Sequence, residues 1–245
     1  MTYYYLARSM LLEGTKSFQE LAEVLEKAGQ DNTDVYWRAR SNQAWLAGRQ
    51  GDYETVITLS ERACSYFKDK NNGEEICVAL NNLSYATMMQ GDYEIAEDYA
   101  RNAYQIADKQ HDAYSRYYSL ANLGYAAYLH GKYDEARQIY EQLNNAPGVK
   151  DYSPSGRAYS LNNLGEIMQA VGEFETANRL YAEAYAMFKE INHRRGMAFT
   201  SNNLAGVYTI QGKHEEAQAI YEQAYTLNRA IGDRTGIRHS LSALA

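Results

Sequence analysis

Leu80-Asn81-Asn82-Leu83-Ser84, followed after six intervening residues by Gly91-Asp92-Tyr93 and then by Ala96, is the stretch on which the fold turns. The glycine triplet returns as Gly51-Asp52-Tyr53, Gly131-Lys132-Tyr133, Gly172-Glu173-Phe174 and Gly212-Lys213-His214, at steps of 40 or 41 residues. Five copies in one register define an internal repeat. Three residues after the aromatic position stands Val56, Ala96, Ala136, Ala177 or Ala217, and ahead of the glycine stands Leu83, Leu123, Leu164 or Leu204. Apolar positions at helical spacing on both sides of each glycine predict a helix, a tight turn and a second helix.

In the unit at 73–110, helix A is expected from Glu74 to Gln90, burying Leu80, Leu83, Ser84 and Thr87 on one face. Helix B, from Asp92 onward, turns Ala96, Ala100 and Ala103 toward it. Side chains this small let the two axes approach to the short end of the usual ~8–10 Å separation. A pair so narrow has no core of its own and must stack on its neighbours. The fold class predicted is therefore all-α, a right-handed superhelical solenoid of antiparallel helix pairs, with about six pairs plus a terminal helix. The whole chain, 1–245, reads as one solenoid with units at 2–29, 34–70, 73–110, 112–145, 155–192 and 194–231 and a partial helix at 234–245. An exposed loop is expected at 146–154, because that segment holds the only two prolines, Pro147 and Pro154. The first unit lacks the glycine turn, and Ser17-Phe18-Gln19-Glu20 reads as a capping box opening its second helix.

The residues around each glycine carry a resemblance. Leu80-Asn81-Asn82-Leu83-Ser84, Leu161-Asn162-Asn163-Leu164-Gly165 and Ser201-Asn202-Asn203-Leu204-Ala205, each followed by the glycine turn and its alanine, resemble tetratricopeptide repeats. The common unit of that family has ~34 residues. The longer period here is similar to the variety found in kinesin light chains, LGN/Pins adaptors, and the sensor regions of bacterial signal-transducing ATPases and transcription activators. Ala230-Ile231-Gly232-Asp233-Arg234-Thr235-Gly236 is similar to the link between repeats of that variety. HEAT and armadillo repeats share the period but not the turn signature.

Composition narrows the function classes. A formal charge of −7 with Lys and Arg scattered among the acids leaves no basic stripe for a phosphate backbone, so no nucleic acid is expected. No apolar run approaches the ~20 residues a bilayer span needs, and Met1 to Met10 does not read as a signal peptide. A cytoplasmic protein with no membrane partner is expected. Cys64 and Cys77 form neither a metal-binding pair nor a disulfide framework and read as buried thiols. The five histidines, His111, His130, His193, His214 and His239, sit in different units without metal-ligand spacing. Neither cofactor, metal nor catalytic residue is expected, and an enzyme built from scattered acids and histidines finds no supporting constellation.

What the repeats do share is a column of amides. Asn42, Asn82, Asn122, Asn163 and Asn203 recur at steps of 40, 40, 41 and 40. Asparagine is a mediocre helix former, so its return in mid-helix needs a reason. Either each amide bonds a neighbouring helix and keeps the repeats in register, or the row clamps an extended peptide backbone, whose N–H and C=O a primary amide complements. The clamp is the preferred reading. The resemblance adds that asparagine rows in O-GlcNAc transferase and kinesin light chain repeats hold peptide backbones. Beside the column lie Trp45, Tyr85 and Tyr125, with Met88 and Tyr128 one turn on and Tyr118, Tyr159 and Phe199 four residues before it. Aromatic residues of these types dominate binding hot spots. Tyr53, Tyr93, Tyr133, Tyr140, Tyr181 and Tyr221 fall instead at core or turn positions.

The function expected is a non-enzymatic scaffold holding a protein or peptide segment in its concave groove. The alternative is a ligand-sensing region of a larger bacterial regulator, binding a small molecule. Thr235 to Ala245 starts a further A helix, with Ile237, Leu241 and Leu244 at helical spacing and no B helix after it. That end is expected to meet further repeats or a second copy of the chain.

Overall fold

The computed structural model describes residues 11–145, 154–231 and 233–244. Those residues form twelve helices, with no strand among them. Contacts gather them into two compact units, one ending at Lys132 and one starting at Tyr133. The first holds α1 (Leu11–Lys27), α2 (Asp34–Gly48), α3 (Tyr53–Asp69), α4 (Gly73–Gln90), α5 (Tyr93–Lys109) and α6 (Ala113–Leu129). The second holds α7 (Tyr133–Asn145), α8 (Pro154–Ala170), α9 (Phe174–Glu190), α10 (Arg194–Ile210), α11 (His214–Ile231) and α12 (Arg234–Leu244). Within the first unit, α2 with α3 and α4 with α5 are antiparallel pairs, and α2, α4 and α6 lie side by side as A helices. Within the second, α8 with α9 and α10 with α11 pair in the same way, and α8, α10 and α12 are the adjoining A helices.

The turn inside a pair follows from its glycine. Gly91 adopts φ 95°, and the N–H of Gly91 reaches the carbonyl of Met88 at 3.2 Å while that of Asp92 reaches Thr87 at 3.0 Å. A left-handed glycine with these bonds satisfies carbonyls that the end of a helix would otherwise leave unpaired. A second left-handed position, Asn71 (φ 52°), His111 (φ 56°) or Asn192 (φ 53°), ends each of three B helices. The next A helix is capped at once: Asn72 Oδ1 accepts from the N–H of Glu75, and Asp112 Oδ1 from those of Tyr114 and Ser115.

The helices of a pair touch through residues with little or no side chain. Ala96, Ala100, Ala103, Ala177 and Ala184 have no exposed surface, and the Ser84 hydroxyl donates across the pair to the Ala96 carbonyl at 2.8 Å. In the second unit the match is large against small: within a pair, a Cβ at Gly165 would lie 2.6 Å from the Tyr181 ring, and between successive pairs one at Gly196 of α10 would lie 2.4 Å from the Phe188 ring of α9. Tyr140, Tyr181 and Tyr221 are core residues, and Cys64 and Cys77 are free and buried.

Two expectations change. No cap occurs at Ser17, because α1 runs unbroken through it: Phe18 and Ala22 form a buried stripe, and Glu26 accepts from Tyr36 and Arg40 of α2, each at 2.6 Å. Docking along the whole length outweighs the local capping signal. The expected loop at 146–154 lies outside the described residues up to 153, while Pro154 is the first residue of α8, where its missing N–H costs nothing. Residues 2–10 of the first unit also lie outside the described residues.

Replacing Ala96 or Ala177 by Leu should overpack the pair and destabilise it by ~1–3 kcal/mol. Urea denaturation would read this, and an unchanged midpoint for both variants would show that this contact does not set the helix separation.

Candidate functional site: an amide ladder on the A helices

The asparagine column falls on the A helices of both units. In the first unit, Asn82 of α4 donates through Nδ2 to the Ser41 carbonyl of α2 at 3.3 Å. Asn122 of α6 donates in the same way to the carbonyl and Oδ1 of Asn81 in α4, at 3.3 and 3.2 Å. Asn42 turns to its own helix, donating to the Arg38 carbonyl at 2.8 Å. In the second unit, Asn203 of α10 donates to Asn162 Oδ1 at 3.2 Å and Glu166 Oε1 at 2.8 Å, both on α8, and Asn163 donates to the Tyr140 hydroxyl at 2.9 Å. The nitrogens of Asn82, Asn122, Asn163 and Asn203 therefore bond a preceding helix. Among the described residues, no bond engages the amide oxygens of Asn82, Asn122, Asn163 or Asn203.

A second column, one residue earlier, links the repeats in the other direction. Asn81 donates to the Ser119 hydroxyl of α6 at 3.1 Å, and Asn202 Oδ1 accepts from Ser240 of α12 at 3.0 Å. Asn162 and Asn202 are buried. The signal for this column was the first asparagine of each Asn-Asn pair, at 81, 162 and 202.

The aromatic residues divide. In the first unit the Arg49 guanidinium lies over two of them, 5.3 Å from the Trp45 ring and 5.7 Å from that of Tyr85. Tyr125 stacks on Tyr128 at 5.9 Å, and Tyr118 packs on Tyr114 at 4.5 Å. Met88 is buried against Ala96 and Ala126 and serves packing. In the second unit Tyr159 contacts the Phe188 ring at 4.8 Å and Phe199 at 6.5 Å, and Phe199 is 40% exposed.

Glu166 was not singled out by the aromatic pattern, yet it occupies the same repeat position as Trp45, Tyr85 and Tyr125. Its Oε1 accepts from Asn162 at 3.0 Å and from Asn203 at 2.8 Å. Burial pushes its pKa up from 4.5 to about 7, against the pull of the two amide donors. Glu97, in the first unit, goes the other way: burial raises it, but Lys132 at 2.8 Å and His130 at 2.9 Å outweigh that and leave it below the ordinary carboxylate range. Among the described residues there is no cluster of His, Cys, Asp and Glu able to hold a metal ion, and no helix is long and apolar enough to cross a membrane.

In each unit, helix pairs repeated side by side and cross-linked by asparagine are the build of a helical repeat protein. The chain belongs to the tetratricopeptide-repeat family, whose models match residues 37–62, 75–143, 157–192 and 200–233. Comparison with curated proteins found no match. Among solved structures, the fold is similar to that of a putative kinesin light chain from P. anserina with nearly identical TPR-like repeats, at 20% identity over 78% of this chain and 93% of that one, with a TM-score of 0.58. It is also similar to a signal transduction ATPase with numerous domains and a tetratricopeptide repeat sensor from Pyrococcus horikoshii, at 21% identity over 93% of this chain and 33% of that one, TM-score 0.71. NprR in complex with its cognate peptide NprX is a third, at 15% identity over 99% of this chain and 67% of that one, TM-score 0.72.

Because folding raises the Glu166 pKa, folding favours the protonated acid; its contribution is complete below pH 4.5 and is lost as pH rises through about 7. Glu166→Gln should therefore stabilise the protein at pH 8 by ~1–3 kcal/mol, discounted for partial exposure, and have little effect at pH 4. Urea midpoints at the two pH values would test this; an equal change at both would contradict it.

Proposed function

We propose that this chain is a non-enzymatic module that binds extended peptide along the asparagine-bearing A-helix face within a unit. The observation that carries the reading is the division of labour within each amide: Nδ2 holds the repeats together, while the oxygens of Asn82, Asn122, Asn163 and Asn203 take no bond within the described residues. An extended backbone has N–H groups to offer such acceptors. Register-keeping and clamping are then two uses of one side chain. Half-buried aromatics at Trp45, Tyr85, Tyr118, Tyr125, Tyr128 and Tyr159 border the ladder and supply side-chain pockets. The peptide held by NprR, a protein of similar fold, supports a ligand of this class.

Panning a random heptapeptide pool, with a metabolite panel in parallel, tests the reading by which of them raises the melting midpoint. Peptides should do so; stabilisation by metabolites alone would favour a small-molecule sensor instead. For the recovered peptides, Asn163→Ala should weaken all of them alike, by ~0.5–1.5 kcal/mol, because a backbone bond ignores ligand side chains. Tyr125→Ala should discriminate among them, costing ~2 kcal/mol or more for some. If Asn163→Ala lowers the melting midpoint and leaves every affinity unchanged, the asparagines are scaffolding only.

A further inference from the structure

The second unit breaks the aromatic column in a specific way. Three residues after each ladder asparagine stand Trp45, Tyr85 and Tyr125 in the first unit, then Glu166 and Gly206 in the second. A half-buried carboxylate thus replaces an aromatic ring, and the next rung has no side chain. Gly206 lies one turn along α10 from Asn203, on the same helix face, and Asn203 touches Glu166. A Cβ at Gly206 would make one ordinary contact, 3.7 Å from the Tyr221 hydroxyl, so no neighbouring side chain fills the place of the missing one.

Among the described residues, Glu166 also has no countercharge. Both amide bonds go to Oε1, and no bond among the described residues engages Oε2. Three of the second unit's cations pair with other acids: Arg137 with Glu141 and Glu173, Arg157 with Glu183, and Arg195 with Asp233. Among the described residues, no charged side chain of the helices packed on α8 bonds Glu166. From α10 comes the Asn203 amide; the Tyr181 hydroxyl of α9 is given to Gln169, and the Tyr140 hydroxyl of α7 accepts from Asn163. A half-buried carboxylate is less well solvated than a surface one and gains from a nearby cation, and the paired Glu97 shows what such a cation does in this fold.

We propose that Glu166 receives a lysine or arginine side chain of the bound peptide, seated in the space beside Gly206. This rests on the peptide-binding reading and adds a sequence preference to it. The ladder would hold any backbone, whereas Glu166 would select a basic residue at one place along it. The charge-assisted bond forms with the ionised carboxylate, whose pKa stands at about 7 in the free protein. Binding a basic peptide therefore releases a proton, and affinity should fall up to roughly tenfold per pH unit below 7.

The test pans an N-acetylated random heptapeptide pool, free of α-amines, on the wild-type chain and on Glu166→Gln. Wild type should recover peptides enriched in Lys or Arg at one position, and the variant should still bind peptides but without that enrichment. For a recovered Lys peptide, exchange of Lys for norleucine should cost the wild type about tenfold or more and the variant little; the pH dependence should vanish with it. Binders without basic enrichment, or enrichment unchanged in Glu166→Gln, would overturn the proposal while leaving the peptide reading intact. If the pool yields no binder, the peptide reading itself fails. A titration of carboxyl-labelled protein with N-acetyl-lysine methylamide, and with its norleucine counterpart, then decides on the carboxylate alone. A saturating shift of the Glu166 carboxyl carbon with the lysine compound only supports the site, and its absence overturns it.

Discussion

Close approach of two helices is the constraint on which everything else in this protein depends. Alanine at 96, 100, 103, 177 and 184, and glycine at 165, keep the helices of a pair so near that a pair alone buries little core. Each pair is then stable only against another, and the A helices are brought side by side. Side-by-side A helices in turn put identical positions of successive repeats within bonding reach. The asparagine cross-links follow from that geometry, since a bond from Asn82 to Ser41 or from Asn122 to Asn81 joins residues 41 apart in the chain.

Polar cross-links do work that apolar packing cannot. Alanine against alanine tolerates sliding, because dispersion contacts between small groups vary little with small displacements. An amide that must find one carbonyl does not, so the ladder fixes the register of one repeat on the next. Placing a hydrogen-bonding row along the A helices has a chemical corollary. A side chain that would be ordinary on a solvated surface acquires unusual surroundings there, and Glu166, held by two amides of the row, is the measure of it.

Most of the architecture was legible in the sequence because the determinants are local and repeated. The glycine turns, their following alanines and the buried tyrosines at 140, 181 and 221 each depend on a few neighbouring residues, and the repeats reinforce one another. The unbroken α1 was not legible, since a capping signal at Ser17 is local while the docking that overrides it involves Tyr36 and Arg40. The site was legible as a column but not as chemistry. Period alone located Asn82 and Asn163, yet could not say that their nitrogens go to Ser41 and Tyr140. The same attention to aromatic residues that found Trp45, Tyr85 and Tyr125 passed over Glu166, which shares their position but not their type.

The paired left-handed residues give the molecule a modular grammar. Asn71 and His111 have nearly the same φ, 52° and 56°, and each is followed at once by a capping side chain, Asn72 or Asp112. A chain cut and rejoined at these two points would lose or gain one whole rung, with matching backbone and matching cap on both sides of the seam. Unequal recombination between repeats would therefore yield folded offspring of altered length, so an ancestor could change the number of ladder rungs in a single genetic event, without first passing through a broken protein.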